Sequence, residues 1–216
     1  SLGEYSALSA AGVFDPKTAI QVVRERGLAM EKAAEGIESA MMAILGLERE
    51  PLLNICESCD GYVSIANYNC PGQLVIAGEK KAVEEAGQKA LDNGARRAVP
   101  LNTSGPFHTK LLKDASTRLH EVFKDVKFHE MNVPVIFNCT GKELEDCSVQ
   151  EMLEKQVMSS VYFEDSIRYM INQGVDTIIE VGPGKIVDGQ KEEMYVKKGD
   201  KVILNKYAGT EVKYEN

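Results

Sequence analysis

The chain opens Ser1-Leu2-Gly3-Glu4-Tyr5-Ser6-Ala7-Leu8. A small hydroxyl residue, one residue, then glycine ahead of a helix is the second half of a G-x-S-x-G nucleophile turn. A serine held in that turn presents its Oγ at a helix N-terminus, where free N–H groups favour negative charge. Leu2, the residue after it, would supply an oxyanion-hole N–H. The same string also fits a plain N-cap, with Ser1 starting a helix that runs to Ala11 and stops at Gly12. A third reading takes the α-amine of Ser1 as its own base. An attacking serine otherwise needs a side-chain base, and His108 stands in Gly105-Pro106-Phe107-His108. Taken alone, a histidine near a helix start is equally an ordinary structural residue. Arg26 lies on a long helix, where its planar fork can grip a carboxylate bidentately or simply face water. His120 and His129 sit among charged residues and read as solvated.

Further strings follow in a fixed order: Arg26 in Arg-Gly-x-x-Met, Asn67-Tyr68-Asn69-Cys70-Pro71-Gly72-Gln73, the Gly-Pro-Phe-His string, Gln156, and Glu180-Val181-Gly182-Pro183-Gly184. Over about residues 1–185 this series closely resembles the malonyl-CoA:acyl-carrier-protein transacylases, and the ordered run is far more specific than any one motif. The resemblance implies that Ser1 is the nucleophile and His108 the base. The backbone carbonyl of Gln156 would orient the histidine in place of a triad acid. Arg26 would bind the malonyl carboxylate, Asn67 and Asn69 would line the cleft, and Phe107 would mark malonyl selectivity. Cys70 stands where serine is usual. The substrates implied are malonyl-CoA and acyl carrier protein, with no metal and no cofactor beyond the coenzyme A thioester itself. The family's Gly-His ahead of the serine does not precede Ser1. The chain is therefore expected to be N-terminally truncated and inactive as it stands.

Several elements must position these residues. Asp15-Pro16 is an N-cap with proline at the first helical position, and Gly36 a stop. Between them Ile20, Val23, Gly27/Leu28 and Met30 make an apolar stripe. Residues 40–101 read β-α-β-β-α-β: strands at 40–47, 62–67, 73–77 and 96–101, helices at 50–58 and 79–93. That order describes a ferredoxin-like subdomain. A helix is expected from about 109 to 126, a strand at 133–139, and a capped helix opened by Ser148-x-x-Glu151. A helix over 164–173 and a buried strand at 176–181 follow. Alternating helices and strands imply a parallel α/β sheet, here part of an α/β-hydrolase-like domain. The expected division is 1–39 with 102–185 as a partial acyltransferase domain, 40–101 as the inserted subdomain, and 186–216 as a β-rich tail. From about residue 182 to 216 the sequence resembles the C-terminal half of a bacterial GroES-type co-chaperonin, so the chain reads as a chimera. This tail offers the alternative of a co-chaperonin-like binding module.

Composition bounds the rest. A net charge of −8 over 216 residues argues against nucleic-acid binding. The longest apolar run, Met41 to Leu45, is too short to span a bilayer, and the start carries no signal-peptide pattern. Five cysteines without regular spacing suggest a reduced, cytoplasmic protein. Cys56-x-x-Cys59 is a lone pair and reads as ordinary thiols. Arg96, Arg97, Lys110 and Lys113 offer a basic docking patch for an acidic carrier protein, or ordinary surface charge.

Overall fold

The computed structural model describes residues 1–179 and the backbone of residues 186–187 and 190–191. Contacts divide the chain into two units, residues 1–170 and 171–216.

Helix α1 (Leu2–Ala10) buries Glu4, Tyr5 and Leu8. Helix α2 (Pro16–Ala34) begins as expected: the Asp15 carboxylate accepts the Lys17 and Thr18 N–H groups at 2.9 and 3.0 Å. Its inward face is Val22, Arg26, Ala29 and Met30, one side of a 3.6-residue period. The expected stripe is corrected here. Ile20 is 71% exposed and Leu28 46%, because both fall off the face that Val22 and Ala29 define.

Strand β1 (Ser39–Leu45), helix α3 (Arg49–Glu57), strands β2 (Val63–Cys70) and β3 (Gln73–Glu79), helix α4 (Lys80–Asp92) and strand β4 (Arg97–Leu101) follow in the expected order. The strands align as β4-β1-β3-β2, each antiparallel to its neighbour. A two-residue strand β5 (Val161–Tyr162) adds to the β2 edge in parallel. The parallel sheet expected of residues 1–39 and 102–185 is corrected in this sense: among the described residues that part contributes only β5 to the sheet, in parallel with β2, and the antiparallel strands β1–β4 all belong to 39–101. Asn67 and Asn69 lie within β2 rather than in a loop. Asn67 and Tyr68 find partners on both sides, in β3 and β5, so the strand continues to Cys70. The turn is Pro71-Gly72, with Gly72 at φ 69°, a region that costs glycine little.

Helices α5 (Lys113–Phe123), α6 (Val149–Gln156) and α7 (Phe163–Asn172) complete the described helices. Residues 133–139 do not form a strand, and only an isolated bridge joins Phe137 to Lys142. Val135 and Phe137 are nonetheless buried. Their apolar pattern reflects packing, and a strand needs a neighbouring backbone that the described residues do not supply. Residues 176–179 are likewise outside any strand, and residues 180–181 lie outside the described residues. So does nearly all of the expected co-chaperonin-like tail, of which only the short pair β6 (Ile186–Val187) and β7 (Gln190–Lys191) is described.

The first unit has three apolar clusters. Helices α1, α2, α5 and α6 enclose one around Tyr5, Leu8, Val22, Leu119, Phe137 and Leu153. Helices α3 and α4 cover one face of the sheet over Ile44, Leu52, Ile76 and Val83. The opposite face presents Met41, Ala43, Val75 and Ala77. Phe107 packs against both this face and the helical cluster. The residue just before His108 therefore joins the two halves of the unit.

Candidate active site

Ser1 is the N-cap residue of α1, but its side chain does not cap the helix. Its Oγ instead accepts a hydrogen bond from Arg26 Nη2 at 2.9 Å. Leu2 is the first residue of α1, where backbone N–H groups lack intrahelical acceptors. Arg26 comes from the inward face of α2 and is only 7% exposed. Its guanidinium lies 5.4 Å from the centre of the Tyr5 ring. Burial pulls its pKa down, against the opposing influence of Tyr5 and Glu4.

His108 follows the Phe107 contact and precedes a 3₁₀ turn at Lys110–Leu112. It is the one non-glycine with positive φ among the described residues, at 61°. Such a conformation costs roughly 1–3 kcal/mol and collects at functional sites. Its Nδ1 lies 3.1 Å from the Gln156 carbonyl oxygen and 3.2 Å from that of Ser159. Two carbonyls can only accept, so Nδ1 carries the proton and Nε2 presents the lone pair. Burial pushes the imidazole pKa down to about 4, with the two carbonyls pulling the other way. The ring is therefore neutral at pH 7 and able to take a proton.

Gln156, fully buried at the end of α6, connects the parts. Its carbonyl holds His108, while its side-chain Nε2 donates to the Ser1 carbonyl at 3.1 Å. Ser1, Arg26, Gln156 and His108 thus form one bonded cluster drawn from four segments. A cleft of about 350 Å³ opens beside it, lined by His108, Tyr62, Lys110, Ser159 and Tyr162 among others. Of the candidate residues His108 lines this cleft, while Ser1, Leu2, Arg26, Asn67, Asn69, Phe107 and Gln156 do not. Asn67 and Asn69 are half-buried in the bulged end of β2.

Two participants escaped the sequence reading. Ser159 shares the His108 proton, and no motif marks it. Glu4 is 5% exposed, and its Oε2 accepts the Asn138 backbone N–H at 2.6 Å. Burial raises its pKa to about 7, with the Asn138 bond and the Gln156 side chain pulling it back. The available signal was position: a glutamate three residues after the candidate nucleophile, on the helical face of Leu8. No group of histidine, cysteine or acidic side chains that could hold a metal occurs among the described residues. No described helix is long and apolar enough to cross a membrane.

Comparison with known proteins gives this geometry a context. A family model described as the acyl transferase domain matches residues 1–201. The match runs past residue 185, into the stretch expected to be co-chaperonin-like, and nothing in the comparisons supports that expectation. A malonyl CoA-acyl carrier protein transacylase of Bacillus subtilis is 46% identical over 193 residues, 88% of this chain and 61% of the relative. The crystal structure of such a transacylase from Clostridium perfringens superposes with a TM-score of 0.80 at 40% identity, over 84% of this chain and 58% of that one. A type II polyketide synthase acyl-carrier protein in complex with its malonyl-transacylase gives 0.76 at 38% identity, over 80% and 57%. The chain spans about three fifths of the length of the curated relatives it matches, 61% in the first case.

Proposed function

Because the chain belongs to the acyl transferase domain family, we propose that it moves a malonyl group from coenzyme A to the phosphopantetheine thiol of acyl carrier protein. The observation that carries this reading is the bonded cluster of Ser1, Arg26, Gln156 and His108. His108 Nε2 takes the Ser1 hydroxyl proton as Oγ attacks the thioester carbonyl. Leu2 N–H, at the positive end of α1, faces the oxyanion that forms. Collapse breaks the C–S bond, the proton goes to the leaving thiolate, and a malonyl-O-serine ester remains. The carrier thiol then gives its proton to His108 and attacks the ester, restoring Ser1 and forming the new thioester. The Gln156 carbonyl fixes the imidazole tautomer without placing a negative charge beside it.

Arg26 carries a buried positive charge next to the nucleophile, and a buried cation calls for an anion. A malonyl group supplies one at the far end of the acyl chain, whereas an acetyl group does not. Asn67, Asn69 and Phe107 are assigned to the acyl-binding surroundings by family likeness, and Phe107 is supported further by its place between the two cores. We read residues 40–101 as a ferredoxin-like subdomain, supported by its strand order, and residues 1–39 with 102–185 as the surrounding acyltransferase domain. The exposed Arg96, Arg97, Lys110 and Lys113 suit an acidic carrier protein. A cytoplasmic setting fits five unbridged cysteines.

The test uses the protein at its full natural length. Incubation with labelled malonyl-CoA and acid quench is expected to leave label on Ser1. Arg26→Ala is expected to lower malonyl transfer by about 10-fold or more relative to acetyl transfer, since a charged hydrogen bond is worth about 1.5–3 kcal/mol. Equal losses for both acyl groups would remove Arg26 from this role.

A further inference from the structure

Glu4 is a buried carboxyl that the transfer steps do not use. It sits in the first turn of α1, three residues after the nucleophile. Its Oε2 takes the Asn138 N–H at 2.6 Å. The Asn138 carbonyl in turn accepts the Tyr162 N–H at 2.7 Å. Between Gln156 and Tyr162 runs the short segment that carries both His108 acceptors, the carbonyls of Gln156 and Ser159. One end of this segment is tied by the Gln156 side chain to the Ser1 carbonyl, and both Gln156 Oε1 and Glu4 Oε1 are buried there without a hydrogen-bond partner. The other end is tied through Tyr162 and Asn138 to the Glu4 carboxyl. A third tether, Ser160 Oγ to the Ile65 carbonyl at 2.7 Å, fixes the middle to β2.

We propose that Glu4 is a positioning residue for acyl transfer: through Asn138 its carboxyl clamps the Tyr162 end of the 156–162 segment, whose other end Gln156 ties to Ser1, and thereby holds the two carbonyls that set the tautomer and aim of His108. This rests on the transferase reading of the site. The clamp acts through His108 and so bears first on Ser1 activation, whereas Glu4 reaches Arg26 only as a charge nearby. Its loss therefore lowers turnover far more than it changes substrate affinity or the preference for malonyl over acetyl. A glutamine at position 4 keeps an acceptor for the Asn138 N–H and an amide to meet Gln156, so it preserves the clamp.

Two measurements on the full-length protein decide the matter. The first is kinetic. Glu4→Ala is expected to lower kcat about 10²-fold, the cost of misplacing a reacting group by about 1 Å. KM for malonyl-CoA and the malonyl-to-acetyl ratio should stay within about twofold, and Glu4→Gln should recover kcat to within about threefold of wild type. The second needs no activity: nitrogen-15 spectra of the His108 imidazole. Wild type and Glu4→Gln should show a single tautomer protonated at Nδ1, and Glu4→Ala a mixture. Should the alanine variant not fold, Glu4→Asp replaces it, its carboxyl drawn back by one methylene, with the same signs expected. An unchanged tautomer, an unchanged kcat, or a loss that glutamine does not rescue overturns the proposal. If wild type and Ser1→Ala transfer malonyl equally, the transferase reading falls instead, and the imidazole spectra alone judge Glu4.

Discussion

Two helices in this chain begin with the same spacing, Ser-x-x-Glu, and use it differently. At α6 the capping box closes: the Glu151 N–H donates to Ser148 Oγ at 3.2 Å, and the Ser148 N–H donates to Glu151 Oε2 at 2.7 Å. At α1 the Ser1 side chain does not cap, and its Oγ accepts from Arg26. Glu4 turns inward to the Asn138 N–H. The difference lies in what surrounds each pair. Around Ser148 and Glu151 there is water, and the best partner of each is the other. Around Ser1 and Glu4 stand a buried guanidinium and a buried backbone donor, each costly to leave unsatisfied. The two glutamates accordingly diverge in acidity. Bonds to Ser148 hold Glu151 below the usual carboxylate range, and burial raises Glu4 to about 7. A capping motif thus marks a helix start in both places, but tertiary partners decide whether its side chains serve the helix or a site.

The sharpest way to break the comparison is to remove each serine. Ser1→Ala is expected to lower malonyl transfer at least about 10⁴-fold, the usual scale for deleting an activated nucleophile, and to abolish acid-stable labelling. Because Ser1 does not cap α1, its removal should leave the urea unfolding midpoint near that of wild type. A large drop in stability would mean the hydroxyl serves the helix after all.

The next effect is on stability against pH, and it sets Glu4 against His108. Glu4 has a folded pKa near 7 where 4.5 is usual, so between those values the folded state holds a proton that the unfolded state has lost. Its contribution is present below pH 4.5 and falls as pH rises to 7, by on the order of 3 kcal/mol. His108 has a folded pKa near 4 where 6.5 is usual, so there the unfolded state holds the extra proton. Its contribution rises from pH 4 to 6.5 by a similar amount. The two slopes oppose one another in wild type. Glu4→Gln should gain stability relative to wild type as pH rises from 4.5 to 7. His108→Gln should lose its relative advantage over wild type as pH rises from 4 to 6.5. Denaturant unfolding at half-unit pH steps reads both difference curves, and a flat Glu4 curve would show that the carboxyl titrates alike in the folded and unfolded states.

Residues 39–101 were the most legible part of the chain. Its short apolar strands and two helices follow one another in a recognisable order, and within the unit every strand partner lies within about sixty residues, so local pattern and pairing agree. Residues 133–139 were misread because β-branched and aromatic residues report burial there, and the pairing that makes a strand is set elsewhere in space. The stripe of α2 slipped because Ile20 and Leu28 look like core by composition, whereas the inward face includes a charged Arg26. In the site, the hydroxyl, the imidazole, the guanidinium and Gln156 were readable because motif order names them. Glu4 and Ser159 were not, since one acts by bonding a distant backbone N–H and the other through a carbonyl that every residue possesses.

The smallest expected effect completes the contrast. Ser148→Ala removes a closed, exposed cap and should cost about 1 kcal/mol, seen as a lower urea midpoint with an unchanged slope. Transfer activity should not change. Gln156 is the last residue of α6, two turns from Ser148, and it is held by its own bonds to Ser1 and His108. Fraying of the first turn therefore has no route to the imidazole while the rest of the helix keeps Met152 and Leu153 buried. The check is kcat for Ser148→Ala at a temperature where more than nine tenths of it is folded. A tenfold fall there would mean that α6 moves as one rigid piece from its cap to Gln156. The two Ser-x-x-Glu turns would then both serve the site, one by direct contact and the other along the length of its helix.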